Sequence, residues 1–213
     1  MPGLRVLLSA IVGLSLIGTA SADERSRARE GHVLPAPDPT AQPVVTAGGG
    51  VDGFIGTALR GLVGPGPSWN VRAAMGSRED VRIELVYAGT SQSFKDAEMG
   101  GARLVGHGVH ALLRANVAPS YLTEPFFFAG AGWTRFSVSG DAEGRFRSPD
   151  HMLEIPFGFG VSRQLGRLVL DVRASFSIMT GADLVPATQA DGTARGGESM
   201  HRAGLRANLG IAL

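Results

Sequence analysis

A glycine- and histidine-rich segment is the part of the sequence whose residue types and spacing best suit chemistry. Residues 106–111 read GHGVHA and formally match the G-x-G-x-x-G/A fingerprint of dinucleotide-binding sites. That fingerprint binds phosphate at the N-terminus of a helix, whereas the surrounding residues alternate in polarity as a strand does. His107 and His110 stand three residues apart, so on a strand they point to opposite faces and cannot share one metal ion. We therefore predict neither a nucleotide site nor a metal site in this segment.

Other catalytic signatures are missing from the sequence. The chain has no cysteine, no G-x-S-x-G nucleophile elbow and no H-E-x-x-H zinc motif. His151 and His201 lie near Asp150 and Glu198, which is compatible with a weak metal or lipid-headgroup site but is more typical of solvated loop ends. The net charge of +1 gives no support for nucleic-acid binding. The sequence predicts a protein that is not an enzyme, needs no cofactor or metal and binds no nucleic acid.

The N-terminus has the three parts of a secretory signal. Arg5 is followed by an apolar stretch over residues 6–17, and Ala20 and Ala22 place small residues where a signal peptidase reads. The apolar stretch is shorter than the roughly 20 residues that a membrane-spanning helix needs. We predict a signal peptide over residues 1–22, cleaved after Ala22. Residues 23–51, polar and rich in proline and glycine, are predicted to form a flexible periplasmic tail.

From residue 52 onward, apolar and polar residues alternate with the period of a β-strand. The last segment shows this most clearly, because Leu205, Leu209 and Ile211 share one face while Arg206 and Asn208 share the other. Similar segments predict eight strands, over residues 53–63, 68–77, 80–92, 103–117, 124–139, 151–163, 167–179 and 201–213. Several have the length of about 9–11 residues that a transmembrane strand requires. After the predicted strands three, five and seven the connections are long, and most of the others are short.

These segments resemble the small eight-stranded outer-membrane barrels of the OmpA/OmpX type. The resemblance covers residues 52–213 and rests on the signal, the eight alternating segments and the loop asymmetry. It implies an all-β fold, an eight-stranded antiparallel transmembrane up-and-down barrel in the outer membrane. Implied partners are outer-membrane lipid, lipopolysaccharide and the barrel-assembly machinery, with the barrel as a monomer. Proteins of this kind usually end on an aromatic residue, whereas this chain ends in Leu213.

If the apolar faces point to lipid, the polar faces fill a narrow lumen. Charges taken out of water persist when they are paired, so we predict a lumenal ion-pair network. Its members are Arg60, Arg72, Arg82, Glu84, Arg114, Glu154, Asp171, Arg173, Arg202 and Arg206. Seven arginines against three carboxylates predict a basic lumen, either plugged by ion pairs and water or forming a narrow path for anions.

Aromatic residues on the apolar faces suit the interfacial girdles of a membrane barrel. The predicted girdle consists of Trp69, Tyr87, Phe127, Trp133 and Phe176. Periodicity alone does not say which face is inside, so a soluble periplasmic ligand-binding barrel remains an alternative. The function we expect is a structural or loop-mediated binding role without catalysis, with residues 140–150 and 180–200 as the charged external loops. A narrow, basic-lumen pore for small solutes or anions is the other alternative.

Overall fold

Eight antiparallel strands form a closed barrel in the computed structural model, in which each strand is hydrogen-bonded to the next along the chain and the last pairs with the first. The structure describes residues 42–55, 57–76, 81–95, 101–117, 123–140, 150–180 and 200–213. Its elements are β1 (Val44–Phe54), α1 (Thr57–Leu62), β2 (Gly66–Gly76), β3 (Val81–Ser93), β4 (Arg103–Asn116), β5 (Glu124–Ser139), β6 (Asp150–Leu165), β7 (Leu168–Thr180) and β8 (Met200–Ala212). The predicted fold, an all-β up-and-down barrel, is confirmed. The proposed signal peptide, residues 23–41 of the tail and most of the two charged loops lie outside the described residues.

The first strand was predicted at the wrong place. It spans Val44–Phe54 rather than 53–63, so that residues 44–51 belong to the barrel and not to a tail. The glycine run Gly48 to Gly50 obscured it, because glycine is rare in strand interiors. Here glycine permits close packing: a Cβ atom at Gly50 would lie 1.9 Å from the carbonyl oxygen of Leu205 on β8. This close approach lets β1 pair with β8 along its whole length.

The segment predicted as strand one contains a short helix instead. Helix α1 occupies Thr57–Leu62, and Val63 then forms an isolated bridge with Phe94. Lys95 Nζ donates a hydrogen bond to the carbonyl oxygen of Arg60, 2.5 Å away. This helix lies in the connection between β1 and β2, and no helix in the described residues is long and apolar enough to cross a membrane.

The two ends of the barrel differ in their connections. We call the end where β1 begins and β8 ends the terminal end, and the opposite end the loop end. Connections at the terminal end cover residues 77–80, 117–123 and 166–167, whereas those at the loop end cover 55–65, 94–102, 140–149 and 181–199. With β1 correctly placed, long and short connections alternate without exception, as they do in outer-membrane barrels.

Side chains on each strand alternate between a buried face and an exposed face. Strand β7 shows this: Asp171 and Arg173 are buried, while Leu170, Val172 and Phe176 are exposed. The exposed large apolar residues occur on all eight strands. The barrel is therefore apolar outside and rich in charge inside, the reverse of a soluble barrel, in which apolar residues fill the interior.

Candidate functional site: the charged lumen and the outer surface

Nine of the ten predicted lumenal residues point into the barrel: Arg72, Arg82, Glu84, Arg114, Glu154, Asp171, Arg173, Arg202 and Arg206. The exception is Arg60, which is exposed on α1 at the loop end, so its assignment to the lumen was wrong. The error has one cause, because Arg60 was placed by a strand pattern in a segment that is helical. Eight of the nine that point inward form two networks, one nearer each end of the barrel.

The lower network lies toward the terminal end and joins three arginines to two carboxylates. Arg173 binds both acids, with Nη1 2.9 Å from Glu84 Oε2 and Nη2 2.8 Å from Asp171 Oδ2. Arg72 Nε lies 3.3 Å from Glu84 Oε2, and Arg114 Nη1 lies 3.3 Å from Asp171 Oδ2. Because each acid faces more than one guanidinium, every charge in this buried group has an opposite partner.

Neutral side chains complete the lower network. Asn208 Nδ2 donates to Asp171 Oδ1 at 3.0 Å, and Asn208 Oδ1 accepts a hydrogen bond from Asn70 Nδ2 at 2.8 Å. Arg114 Nη2 donates to Ser162 Oγ at 2.5 Å, and its Cζ lies 3.7 Å from the ring centroid of Phe126. That geometry is a cation–π contact, which stabilises a guanidinium shielded from water.

The upper network lies toward the loop end and is built around Glu154 and Asp52. Arg202 Nη2 donates to Glu154 Oε1 at 2.6 Å, and His110 Nε2 lies 3.0 Å from Glu154 Oε2. Asp52 binds Arg206 through a charged hydrogen bond, and Arg202 Nη1 lies 3.8 Å from the same carboxylate. Asp52 was missed from the sequence because the predicted first strand began one residue after it.

The lumen is not basic, contrary to the expectation from the sequence. Among the described residues, the arginines that face inward are Arg72, Arg82, Arg114, Arg173, Arg202 and Arg206. The buried inward carboxylates that oppose them are Asp52, Glu84, Glu124, Glu154 and Asp171, and the half-buried Asp150 also faces inward, at the loop end. The count was wrong because Asp52 and Glu124 were left out and Arg60 was included. Six cations against five buried anions make the interior close to neutral.

Apolar clusters lie inside the barrel above and below the charges. At the loop end, Phe136, Met152 and Met179 are fully buried in a cluster with Phe54, Val63, Ala102, Leu104, Val138 and Met200. At the terminal end, a smaller cluster contains Val44, Ala74, Val169 and Ala212. Between the two networks lies a cavity of about 30 Å³, lined by residues that include Arg72, His110 and Glu154. That space suits a water molecule or two.

All five predicted girdle residues, Trp69, Tyr87, Phe127, Trp133 and Phe176, lie on the outer surface. Trp69 and Tyr87 form an edge-to-face pair with ring centroids 5.2 Å apart. The indole of Trp69 also lies across Gly89 on the next strand, where a Cβ atom would be only 2.3 Å from the ring. Tyr87 extends the group to His107, whose Nδ1 lies 3.3 Å from the tyrosine hydroxyl oxygen. His107 is exposed and His110 is buried, so the two histidines face opposite ways as their spacing predicted.

Comparison with known proteins relates the chain to outer-membrane barrels through its fold. No protein-family model and no curated protein matches the sequence. Among solved structures, neisserial surface protein A (NspA) aligns with a TM-score of 0.54 and 13% identity, over 81% of this chain and 96% of NspA. The attachment invasion locus protein Ail of Yersinia pestis, solved with the heparin analogue sucrose octasulfate, aligns with a TM-score of 0.50 and 12% identity, over 81% of this chain and 99% of Ail. The chain therefore has the fold of the small eight-stranded outer-membrane barrels that its sequence resembles.

Proposed function

We propose that this chain is an integral outer-membrane protein whose barrel is sealed and whose function resides on its outer surface and loops. The observation that carries the proposal is the polarity of the barrel, with charged networks inside and an apolar belt outside. In water such a belt would leave a contiguous apolar surface around the barrel, far beyond what soluble monomers expose. In a bilayer the same surface is solvated by lipid, which removes that cost.

The direction of the barrel follows from its connections. Short turns at the terminal end suit the periplasm, and the longer connections at the loop end suit the cell exterior. An N-terminal signal removed after Ala22 would deliver the chain to the periplasm, from which the barrel-assembly machinery would insert it. Closure of β1 on β8 leaves no unpaired strand edge in the described barrel, which favours a monomer.

A sealed lumen argues against the pore alternative. An anion path would need a continuous polar route and an excess of positive charge. The described lumen offers neither, because apolar clusters lie at both ends and six arginines face five buried carboxylates and the half-buried Asp150. The inverted polarity likewise opposes a soluble ligand-binding barrel, whose ligand would need an apolar or open interior.

A binding role for the external connections is the remaining interpretation, without catalysis. Rigid scaffolds commonly carry their binding residues on loops, and the sequence of residues 140–150 and 180–200 contains both signs of charge. Ail, which shares the fold, has been crystallised with a sulfated ligand. Within the described residues, no group of His, Cys, Asp and Glu side chains is arranged to hold a metal ion. If the chain were a lipid-modifying enzyme, its overexpression would change the lipid A or phospholipid profile, and we expect no change.

Gel mobility tests the membrane assignment, and conductance in planar bilayers tests whether the lumen is closed to ions. The folded chain should migrate differently in SDS before and after boiling, because a membrane barrel resists SDS until it is heated. Identical migration, with the detergent-free chain soluble and rich in β-structure, would overturn the membrane assignment.

After reconstitution in planar bilayers with molar KCl we expect no single-channel steps. Reproducible anion-selective steps that disappear in Arg173→Gln would establish the pore instead.

A further inference from the structure

On the outer surface of the barrel, arginine and histidine side chains gather on one side at the loop end. Arg135 on β5 is paired in register with His107 on β4 and with His151 on β6, and all three side chains are exposed. Directly opposed residues of neighbouring strands have Cβ atoms about 4.5–5.5 Å apart. Arg103, two positions before Val105 on the same face of β4, adds a second exposed guanidinium farther toward the loops. We call His107, Arg135 and His151, with Arg103 above them, the outer basic patch.

Among the described residues, no carboxylate lies on the same outer surface as this patch. The acidic side chains of the described residues are Asp52, Glu84, Glu124, Asp150, Glu154 and Asp171. Five of them are buried in the lumen, and Asp150 lies on the inward face, opposite the buried Phe136. Within the described part of the chain the outward arginines therefore have no acidic neighbour, which leaves them open to an anion in the surroundings of the protein.

The position of the patch along the barrel indicates what those surroundings are. On β6, His151 and Arg163 bound an outward run of apolar side chains: Leu153, Ile155, Phe157, Phe159 and Val161. A strand tilted by about 40° advances roughly 2.5 Å along the barrel axis per residue, so this run spans about 20 Å and its two bounding residues stand about 30 Å apart. The lipid-facing belt of outer-membrane barrels, about 25 Å tall, fits between these two values. His151 and Arg163 thus lie at the two edges of the apolar run.

Aromatic neighbours mark the same level. Trp133 precedes Arg135 by two positions on the same face of β5, and it is 69% exposed. Tyr87 stacks on the imidazole of His107, with ring centroids 6.2 Å apart. Aromatic side chains concentrate where hydrocarbon meets headgroups, so Arg135 is one step beyond that boundary, at the depth of the lipid phosphates. The other flank, on β7 and β8, presents Ile178, His201 and Ala203 at the loop end, and no arginine among its described residues.

We propose that the outer basic patch binds the phosphate groups of a phosphorylated glycolipid of the outer leaflet, with Arg135 as its main ligand. A guanidinium forms bidentate hydrogen bonds with phosphate, and the flanking imidazoles donate further ones when protonated. The apolar belt below, with Trp133 at its rim, packs against the acyl chains of the same lipid. The inference rests on the proposed membrane location and names one lipid and one side of the barrel.

Lipid retention tests this proposal. The purified full-length chain is reconstituted in phosphatidylcholine nanodiscs containing a tenth of either bisphosphorylated or dephosphorylated lipid A with the same acyl chains. After extraction into mild detergent, native mass spectrometry counts the lipid A molecules retained. We expect the unmodified chain to retain only the phosphorylated lipid. Retention should fall about fivefold in Arg135→Gln, because one partly exposed charge pair is lost, and should be restored in Arg135→Lys. Inorganic phosphate should not compete at millimolar concentration.

The matched control is Arg163→Gln, which removes an outward cation from the opposite edge of the belt. It should retain phosphorylated lipid A as the unmodified chain does. Equal retention of the two lipids by the unmodified chain, or equal loss in Arg135→Gln and Arg163→Gln, would overturn the proposal. All variants should keep the boil-dependent gel shift, so a failed phosphate site is distinguishable from a failed membrane assignment, in which the shift itself would be absent.

Discussion

Asp171 is the residue whose removal should most unbalance the lower network. Its carboxylate accepts hydrogen bonds from Arg173 Nε at 2.9 Å and Nη2 at 2.8 Å, from Arg114 Nη1 at 3.3 Å and from Asn208 Nδ2 at 3.0 Å. Arg72 Nη1 lies 3.5 Å from the same group. In Asp171→Asn three guanidiniums would face the single carboxylate of Glu84. Breaking a buried ion pair by removing one partner typically costs about 3–5 kcal/mol, and we expect this variant to lose that much free energy of unfolding.

Arg72→Gln is the informative comparison. It removes one charge from the same network but leaves two arginines opposite two carboxylates, so the network stays balanced. The glutamine can still hydrogen-bond near Asn70, whose Oδ1 now accepts from Arg72 Nη2 at 3.2 Å. We expect a loss of about 1 kcal/mol, the net value of an ordinary hydrogen bond. The double variant should lose less unfolding free energy than the two single variants lose together. We expect the difference, which is the coupling energy, to be about 1–3 kcal/mol.

Urea unfolding of the chain in lipid vesicles measures these differences. The two tryptophans, Trp69 and Trp133, lie on the outer surface and leave the lipid on unfolding, so their fluorescence reports the transition. Gel mobility of unboiled samples checks that each variant folds. If Asp171→Asn were no less stable than Arg72→Gln, or if the two losses simply added, then charge balance would not govern the lower network and the reasoning would be wrong.

Three further predictions concern packing and the lipid surface. Gly50→Ala should prevent β1 from closing on β8, because its Cβ would meet a β8 carbonyl oxygen, whereas Gly49→Ala on the outward face should still fold and show the boil-dependent gel shift. Phe157→Arg, at the middle of the lipid-facing run on β6, should cost about 2–4 kcal/mol of unfolding free energy in vesicles, against roughly 0–1 kcal/mol for Val161→Arg near its edge. Phe136→Ala should cost about 3–5 kcal/mol of unfolding free energy by opening a cavity in the loop-end cluster. Equal stability of this variant and the unmodified chain would contradict the close packing of that cluster.

The sequence predicted most of the barrel because seven strands obey one simple rule. A strand with lipid on one side and a narrow lumen on the other alternates in polarity along its whole length, and β7 and β8 show that alternation almost perfectly. Strand β1 escaped prediction because Gly48, Gly49 and Gly50 carry no side chain from which a phase can be read. Their role becomes visible only when β8 is placed beside them.

Side-chain pairing could not be predicted in the same way. Periodicity placed Glu84 and Arg173 in the lumen, but they stand 89 positions apart in the chain and meet only because the barrel closes. The loop-end cluster was missed for a related reason. Phe136, Met152 and Met179 occupy inward positions, where the pattern led us to expect polar residues. Near the loop end, strands are apolar on both faces, and a rule that divides residues by polarity cannot assign an inside to them.

Arginines in the lumen and arginines on the outer surface of the barrel have opposite environments, and the contrast bears on function. Inside, guanidiniums such as that of Arg173 are held by carboxylates on neighbouring and distant strands, which uses their charge for stability. Outside, Arg135 faces no acidic side chain among the described residues and lies at the edge of the apolar belt. An arginine in the hydrocarbon region of a barrel surface is costly, and the cost nearly vanishes at the interface. The outward arginines of β5 and β6 are therefore placed where their charge is tolerated, and at the loop end that is also where a lipid phosphate can neutralise it.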